Sequence, residues 1–351
     1  MTDAQRQPDA GRWKSDGGPR RRDAASLAAG AKPDSMTPRG YYGVPPIHKP
    51  HWNWLIIFYF FFGGIAGAAY ALATIADAVG PARDRDIGRV GRYLSLAALL
   101  PSPILLILDL GRPERFYLML RVLKLRSPMS LGTWGLTTFS GFCGLSAAIQ
   151  AATDRRIGDG LFARRLAHLP ARPIGAVGTV PALFVAGYTG VLLAATAVPL
   201  WTKRALFLGP LFLASALSNA VAGVALILAL TPRTFPATLR RLARLQTLAL
   251  IAESSLFAAW SEGLGPTARP LSEGATGHLV RHGVSGAGVA APLLVQAIGT
   301  LLPERFARRL TAVSSILVLG GGLALRYAIV VAGGDSADDP DATFELAGEV
   351  R

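Results

Sequence analysis

The chain has 351 residues, of which 51% are hydrophobic and only 17% are charged, and its mean hydropathy is +0.38. This composition, with its long uncharged runs, indicates a polytopic membrane protein. The net charge of +14 does not indicate a nucleic-acid partner, because the Lys and Arg residues lie mostly between the apolar runs. Cys143 is the single cysteine, so one chain can form neither a disulfide nor a thiolate zinc site or iron–sulfur cluster.

The chain divides by composition into a central apolar domain and two polar tails. Residues 1–40 are rich in Arg, Asp, Gly, Pro and Ala and are expected to form a disordered basic tail. Residues 1–50 lack the apolar stretch of a signal peptide, so no cleavable leader is expected. Residues 41–332 are predicted to form one transmembrane domain, and residues 333–351 a loose acidic tail.

Eight apolar runs of around twenty residues predict eight transmembrane helices and therefore an all-α polytopic bundle. The predicted spans are 52–79, 92–110, 130–152, 174–199, 204–230, 242–260, 283–302 and 310–332. Pro101 and Pro103 are expected to kink the second span. The small residues 63–67 of the first span form a face on which another helix can pack closely.

Eight alternating helices place both termini on one side of the membrane, which we call side A; the other is side B. The connections on side B, near 83–92, 155–172, 233–244 and 305–309, contain more arginines than those on side A. By the positive-inside rule, side B is cytoplasmic and both termini are extracytoplasmic, in the inner (plasma) membrane of the cell. The basic N-terminal tail opposes this assignment.

The segment 108–116 (LDLGRPERF) ends the second span with an acid and continues into a charged corner on side A. An acid at the end of a membrane helix is costly to desolvate, so Asp109 is a candidate functional residue. Gly111, with Pro113 two residues later, is a helix stop signal. A structural ion pair between Asp109 and Arg112 explains the same pattern equally well.

Three polar clusters are expected to meet at side A: the segment with His51 and Asn53, the Asp109 corner, and the end of the fourth span. Such a meeting suits an amphiphile such as a quinone, whose reduction takes two electrons and two protons. Tyr188, in the side-A half of the fourth span, could hydrogen-bond a ligand carbonyl or, equally, a neighbouring helix. An interfacial location without ligand contact is the commoner explanation for His51.

Deeper polar groups suggest a proton path. Asp77, near the side-B end of the first span, and Glu253, in the sixth, are acids in membrane-spanning segments, where a charge is costly. The alternative for Glu253 and for Asn219 of the fifth span is an interhelical hydrogen bond. Arg326, in the last span, is expected to snorkel to side A.

The histidines lie in or beside connections and not in the middle of any span. They are His48, His51, His168, His278 and His282. Paired axial ligands of a membrane b-type haem would have to lie mid-span. We therefore expect neither haem nor a metal site in this chain.

Five segments resemble the NrfD/PsrC family, the membrane subunits of polysulfide-reductase-like complexes. They are Tyr42-Gly43-Val44-Pro45 with Pro50-His51-Trp52-Asn53-Trp54, Tyr59-Phe60-Phe61-Phe62-Gly63-Gly64-Ile65-Ala66-Gly67, Asp109-Leu110-Gly111-Arg112-Pro113-Glu114-Arg115-Phe116, Ser127-Pro128-Met129-Ser130-Leu131-Gly132-Thr133-Trp134 and Tyr188-Thr189-Gly190-Val191-Leu192-Leu193. The third and fourth segments are the most specific. The likeness runs from about residue 41 to 230 and is weaker beyond.

The resemblance implies an eight-helix subunit that has no redox cofactor of its own and binds menaquinone or ubiquinone near one face. It also implies that an iron–sulfur electron-transfer subunit, joined to a molybdopterin catalytic subunit, docks at that face. On the matching positions it assigns the quinone pocket to His51, Asn53 and Tyr188, with Asp109 and Arg112 from the shared corner. We therefore expect a quinone-reactive membrane anchor that exchanges electrons between the quinone pool and the iron–sulfur partner.

Two other functions stay open. A secondary transporter or proton-translocating module would use Asp77, Glu253 and Asn219 as an intramembrane relay. It should show two similar halves with matching broken helices, and the sequence contains no convincing repeat of that kind. The third possibility is a passive anchor whose polar groups have no function.

Overall fold

The computed structural model of the chain describes residue 47 and residues 52–81, 84–158, 160–232 and 234–339. His51, the predicted N-terminal tail and residues 340–351 lie outside the described residues. The described part of the chain is helical and contains no strand. The prediction of an all-α bundle is confirmed.

Eight long helices follow one another along the described part of the chain. Their bounds are α1 Trp54–Val79, α2 Arg85–Asp109, α3 Pro128–Thr153, α4 Ala171–Ala194, α5 Ala205–Leu230, α6 Pro236–Glu262, α7 Gly274–Thr300 and α8 Glu304–Asp338. Shorter helices in the connections are Pro113–Leu120, Leu161–Ala167, Pro199–Thr202, Gly265–Ala268 and Arg269–Ser272. The segment Leu279–Ala290 of α7 has π-helical hydrogen bonding.

Six of these helices are long and apolar enough to cross a membrane, and the two that are not are α3 and α6. These two have 26 and 27 residues, but α3 is rich in Gly, Ser and Thr and α6 begins with several arginines. Both pack within the same bundle, α3 against α4 and α6 against α5. All eight predicted segments therefore correspond to helices. The last helix continues to Asp338, beyond the predicted boundary at residue 332.

Helix α1 is at the centre of the bundle, where it contacts α2, α4, α5 and α8. Its Gly67 lies against α4, and a Cβ added there would be 2.2 Å from the carbonyl oxygen of Ala182. The small-residue face predicted for this span therefore allows close helix packing. Gly321 of α8 and Gly288 of α7 make a similar contact, since a Cβ added to Gly321 would be 2.2 Å from the Cα of Gly288.

Helix α2 is interrupted at Leu100, directly before the first of the two prolines predicted to disturb it. Pro101 has no N–H with which to continue the helical ladder, although Leu100 keeps helical φ and ψ of −52° and −46°. The helix ends at Asp109, and Leu110 follows in an extended conformation. The predicted helix stop at this corner is confirmed.

Ion pairs connect the helices at side B. They are Arg92–Asp77 between α2 and α1, Arg89–Asp154 between α2 and the end of α3, and Arg241–Asp84 between α6 and the start of α2. The buried Asp84 carboxylate also accepts a hydrogen bond from the Thr238 hydroxyl at 2.8 Å. These contacts fix the side-B ends of four helices relative to one another.

Candidate functional site at side A

The chain enters α1 and leaves α8 at the same end of the bundle. Trp52, just before α1, stacks on Trp201 of the α4–α5 connection, with ring centroids 5.0 Å apart and planes inclined by 17°. The indole N–H of Trp201 donates to the carbonyl of Ile329 in α8 at 3.0 Å. This end is side A, and the ends of α2 and α4 and the start of α3 also lie there.

Helix packing gives the depth of the predicted site residues. Gly63 of α1 lies opposite Ser102 of α2 and Val185 of α4, because a Cβ added to it would be 3.9 Å from both side chains. At a rise of about 1.5 Å per residue, Asp109 lies about 10 Å from that level toward side A, and Asn53 about 15 Å. The two residues are thus within about one helical turn of each other along the bundle axis.

Tyr188 of α4 lies in the same half of the bundle. Its side chain is buried, and its hydroxyl donates to the carbonyl of Pro128 at the start of α3. Gly132, one turn further along α3, leaves room for the ring, since an added Cβ would be 2.5 Å from it. The hydroxyl therefore has a protein partner, and a ligand carbonyl at this position would compete with Pro128.

Tyr59 of α1 is a further polar residue in this half of the bundle that was not predicted as a site residue. Its side chain is 3% exposed, and its phenol is close enough to that of Tyr188 for the two to interact electrostatically. Within the described residues the Tyr59 hydroxyl makes no hydrogen bond, whereas a buried tyrosine usually finds a partner. A signal was present in the sequence, because Tyr59 has the only hydroxyl in the aromatic run 59–62.

The Asp109 corner is polar and unpaired. No ion pair forms between Asp109 and Arg112, so the structural alternative considered for these two residues is not realised. Asp109 is partly exposed and makes no hydrogen bond within the described residues, and Arg112 is exposed. Both side chains therefore remain available to a substrate or a partner.

The corner also exposes large apolar side chains. The segment 111–126, which we call the corner surface, includes the exposed residues Phe116, Tyr117, Leu118, Val122, Leu123 and Leu125. Basic residues alternate with them, at positions 112, 115, 121, 124 and 126. An exposed patch of this kind, at the end of a membrane bundle, is typical of an interaction surface.

Asn53 has a local structural role. Its Oδ1 accepts the N–H of Leu55 at 2.8 Å and thereby caps the start of α1. Any contact from Asn53 to a ligand would have to use its amide N–H groups. His51 lies two residues earlier, outside the described residues.

Comparison with known proteins agrees with this architecture. Residues 46–335 match the family described as "Polysulphide reductase, NrfD". The chain belongs to the NrfD family. Its match to the family thus extends well past residue 230, where the resemblance read from the sequence became weaker. With its membrane-spanning helices, this NrfD-family chain is an integral membrane protein.

Two curated relatives give further context. The C component of the polysulfide reductase of Wolinella succinogenes is 29% identical over 304 residues, which cover 80% of this chain and 94% of that protein. The C component of the selenate reductase of Mesobacillus selenatarsenatis is 28% identical over 83 residues, which cover 24% of this chain and 19% of that protein. The first likeness spans almost the whole relative, whereas the second is local.

The two acids of the predicted proton path lie in different parts of this NrfD-family protein. Asp77 pairs with Arg92 near side B and lines a cavity of about 250 Å³ between α1, α2 and the start of α4. Glu253 lies in the interior, in a cluster that reaches the carbonyl of Phe60. Phe60 and Asp77 are separated by about 25 Å along α1. The two acids therefore do not touch, and their connection stays a prediction.

The interior cluster is built around an arginine. Arg326 of α8 is 1% exposed and donates to the Ser215 hydroxyl at 3.0 Å and to the carbonyl of Phe60 at 3.3 Å. Glu253 accepts a hydrogen bond from the Ser218 hydroxyl at 2.5 Å and is close enough to Arg326 for electrostatic attraction. The prediction that Arg326 snorkels to side A was wrong, because α8 continues to residue 338 and keeps the guanidinium inside the bundle.

This cluster has unused hydrogen-bonding capacity. The Nη2 of Arg326 and the Oδ1 of Asn219 are buried and make no hydrogen bond within the described residues. The Asn219 amide donates instead to the carbonyl of Ser215 at 2.5 Å, within its own helix. A buried polar atom without a partner needs an explanation, such as a bound water or a role in function.

Proposed function

We propose that this NrfD-family chain is the quinone-reactive membrane subunit of a reductase complex and exchanges electrons between the quinone pool and an iron–sulfur partner. The observation that supports this best is that the side-A half of the bundle contains an unpaired acid and two phenols that lie close to each other. The acid is Asp109, and the phenols are Tyr59 and Tyr188. The names of the two relatives, each a lettered component of a reductase, are consistent with a complex of several polypeptides.

The chemistry of the substrate explains the choice of residues. Oxidation of a quinol to a quinone releases two electrons and two protons, so the site needs hydrogen bonds to both oxygens and a group that accepts protons. Tyr188 and Tyr59 provide hydroxyls at the depth of a headgroup inserted between α1 and α4. Asp109, partly exposed at the membrane boundary, accepts a proton and passes it to water at side A. His51 and the Asn53 amide complete the site, with menaquinone or ubiquinone as substrate.

The corner surface is the proposed docking site for the iron–sulfur subunit, which would in turn contact a molybdopterin catalytic subunit. Its exposed apolar residues would be covered by that partner, and Arg112, at its edge, would face both the partner and the quinone headgroup. By the positive-inside rule, side A with both termini lies outside the plasma membrane and side B faces the cytoplasm.

Substitution of Asp109 and Tyr188, two of the described residues of the proposed quinone site, tests that site. In the assembled complex, Asp109→Asn should slow quinol oxidation about a hundredfold, the lower range for loss of a positioned proton acceptor. Tyr188→Phe should raise the KM for quinol, because one hydrogen bond to the headgroup is lost. Glu262→Gln, an exposed acid at the side-A end of α6, is the matched control and should leave both constants unchanged. Normal quinol oxidation by both test variants would reject the assigned roles.

A proton-translocating module is a second candidate, supported by the buried cluster of Glu253 and Arg326 with its unsatisfied polar atoms. In this proposal Glu253 exchanges protons in the interior, and Asp77, beside its cavity, is the side-B end of the path. Glu253→Gln in proteoliposomes containing the complete complex should abolish proton transfer while quinol oxidation continues in uncoupled vesicles. If proteoliposomes with this variant change the pH of their lumen as fast as those with the unchanged protein, Glu253 is not part of a proton path.

A further inference from the structure

A groove of about 550 Å³ lies between α6, α7 and α8 at side B, at the opposite end of the bundle from the proposed quinone site. It follows α6 from Pro236 to Thr247, a length of about 16 Å. At its inner end, the Thr247 hydroxyl donates to Gln296 of α7 at 2.7 Å, and Gln296 donates to Ser314 of α8 at 3.1 Å. These side chains use their hydrogen-bonding groups on one another and close the inner end of the groove. The remaining wall of the groove is mainly apolar.

The mouth of the groove is positively charged. Arg308 donates from its guanidinium to backbone carbonyls at the end of α5, including that of Ala229 at 2.9 Å. It therefore adds positive charge at the mouth, but its N–H groups are already used in these hydrogen bonds. Arg240 is 3.7 Å from Glu304, with both side chains largely exposed, which is a weak ion pair. Arg244 forms no ion pair within the described residues. The Arg244 guanidinium is thus available to an anion at the mouth, and the weak pair of Arg240 with the exposed Glu304 leaves most of its guanidinium accessible as well.

The groove opens toward the bilayer. Both α7 and α8 are apolar enough to cross a membrane. Large apolar side chains on the outer faces of α6 and α7 beside the groove are exposed, among them Leu248, Leu294 and Ile298. A molecule that fills the groove would therefore contact hydrocarbon along its length and water only at its charged end.

We propose that this groove binds an anionic phospholipid, with the phosphate at Arg240 and Arg244 and an acyl chain along the apolar wall. Guanidinium groups bind phosphate oxygens through paired, charge-assisted hydrogen bonds. Basic pockets between membrane helices recognise acidic headgroups for the same reason. A neutral amphiphile such as a quinone would leave Arg244 without a counter-charge and Arg240 with only its weak ion pair to Glu304, so the charges favour the phospholipid.

Lipid titration of the full-length chain tests this proposal. The chain, purified in detergent and depleted of lipid, is mixed with phosphatidylglycerol, phosphatidylcholine or inorganic phosphate, and bound lipid is counted by native mass spectrometry. Phosphatidylglycerol should bind, whereas the other two should not. The Arg240→Gln and Arg244→Gln substitutions should each weaken its affinity about fivefold. A double variant with both mouth substitutions should lose more affinity than either single variant. Its matched control is the double variant Arg164→Gln, Arg165→Gln, which removes two exposed arginines of a short side-B helix and should bind normally.

Several results would overturn the proposal. If the two double variants bind phosphatidylglycerol with equal affinity, the mouth arginines do not bind its phosphate. If phosphatidylcholine binds as tightly as phosphatidylglycerol, the charge of the headgroup does not determine binding. Binding of inorganic phosphate alone would indicate an ion site without a lipid. Ala297→Phe fills the groove and leaves its charge unchanged; undiminished lipid binding by this variant would show that no acyl chain lies there. Displacement of phosphatidylglycerol by an equal amount of quinone would assign the groove to a neutral amphiphile.

Discussion

Asp109, at the side-A end of α2, is held differently from three acids at side B. At side B, Asp77, Asp84 and Asp154 each face an arginine from a neighbouring helix. At side A, Asp109 has no such partner within the described residues, although Arg112 is only three residues away. The three side-B carboxylates therefore hold helices together, whereas the Asp109 carboxylate stays available to a substrate or a partner.

Glu253 and Arg326, in the interior, are also an acid and an arginine from different helices. Removing one of these two charges should have the largest effect on stability. Arg326→Met would leave Glu253 buried without its counter-charge, which should cost about 3–5 kcal/mol in the free energy of unfolding. Adding Glu253→Gln to the same chain should restore most of the loss, because no unpaired charge then remains. Unfolding of both variants in detergent measures this. A double variant as unstable as the single one would mean that Arg326 acts through its hydrogen bonds to Phe60 and Ser215.

An intermediate effect is expected at side B itself. Asp84→Ala removes the acceptor of the buried Thr238 hydroxyl and the partner of Arg241, and should cost about 2 kcal/mol in the free energy of unfolding. The same measurement on Glu262→Ala, an exposed acid, should show a change below about 0.5 kcal/mol. Equal losses in the two variants would show that the ion pairs of side B do not contribute to stability.

The existence of the helices could be predicted from the sequence, but their limits could not. An apolar run of about twenty residues indicates a span by itself, because a backbone in lipid must satisfy its own hydrogen bonds. The end of α8 depends instead on a distant contact. Gly333 lies so close to the Trp201 ring that an added Cβ would be 2.1 Å away, and this packing continues the helix through a polar segment that was assigned to the tail.

The same limit applies to the polar residues. The cost of Glu253 and Arg326 in a membrane is evident from the sequence, but their proximity is not, because they belong to different helices. Tyr188 bonds Pro128, 60 residues earlier, which no local pattern reveals. The Asn53 cap is a local contact of a common kind, since asparagine is a preferred N-cap, but the predicted span began at residue 52 and the cap was not predicted.

The smallest effect on stability is expected for Asp109→Ala. This variant therefore tests most directly whether Asp109, unlike the side-B acids, has no structural partner. Asp109 makes no hydrogen bond or ion pair within the described residues, so its removal breaks no contact there. Its charge also lies at the C-terminal end of α2, where it opposes the helix dipole. The expected change in the free energy of unfolding is therefore zero to about 0.5 kcal/mol in the stabilising direction. A loss above about 1 kcal/mol would mean that Asp109 is held as Asp84 is. Side A would then be built like side B, and the slower quinol oxidation of Asp109→Asn would have to be attributed to structure.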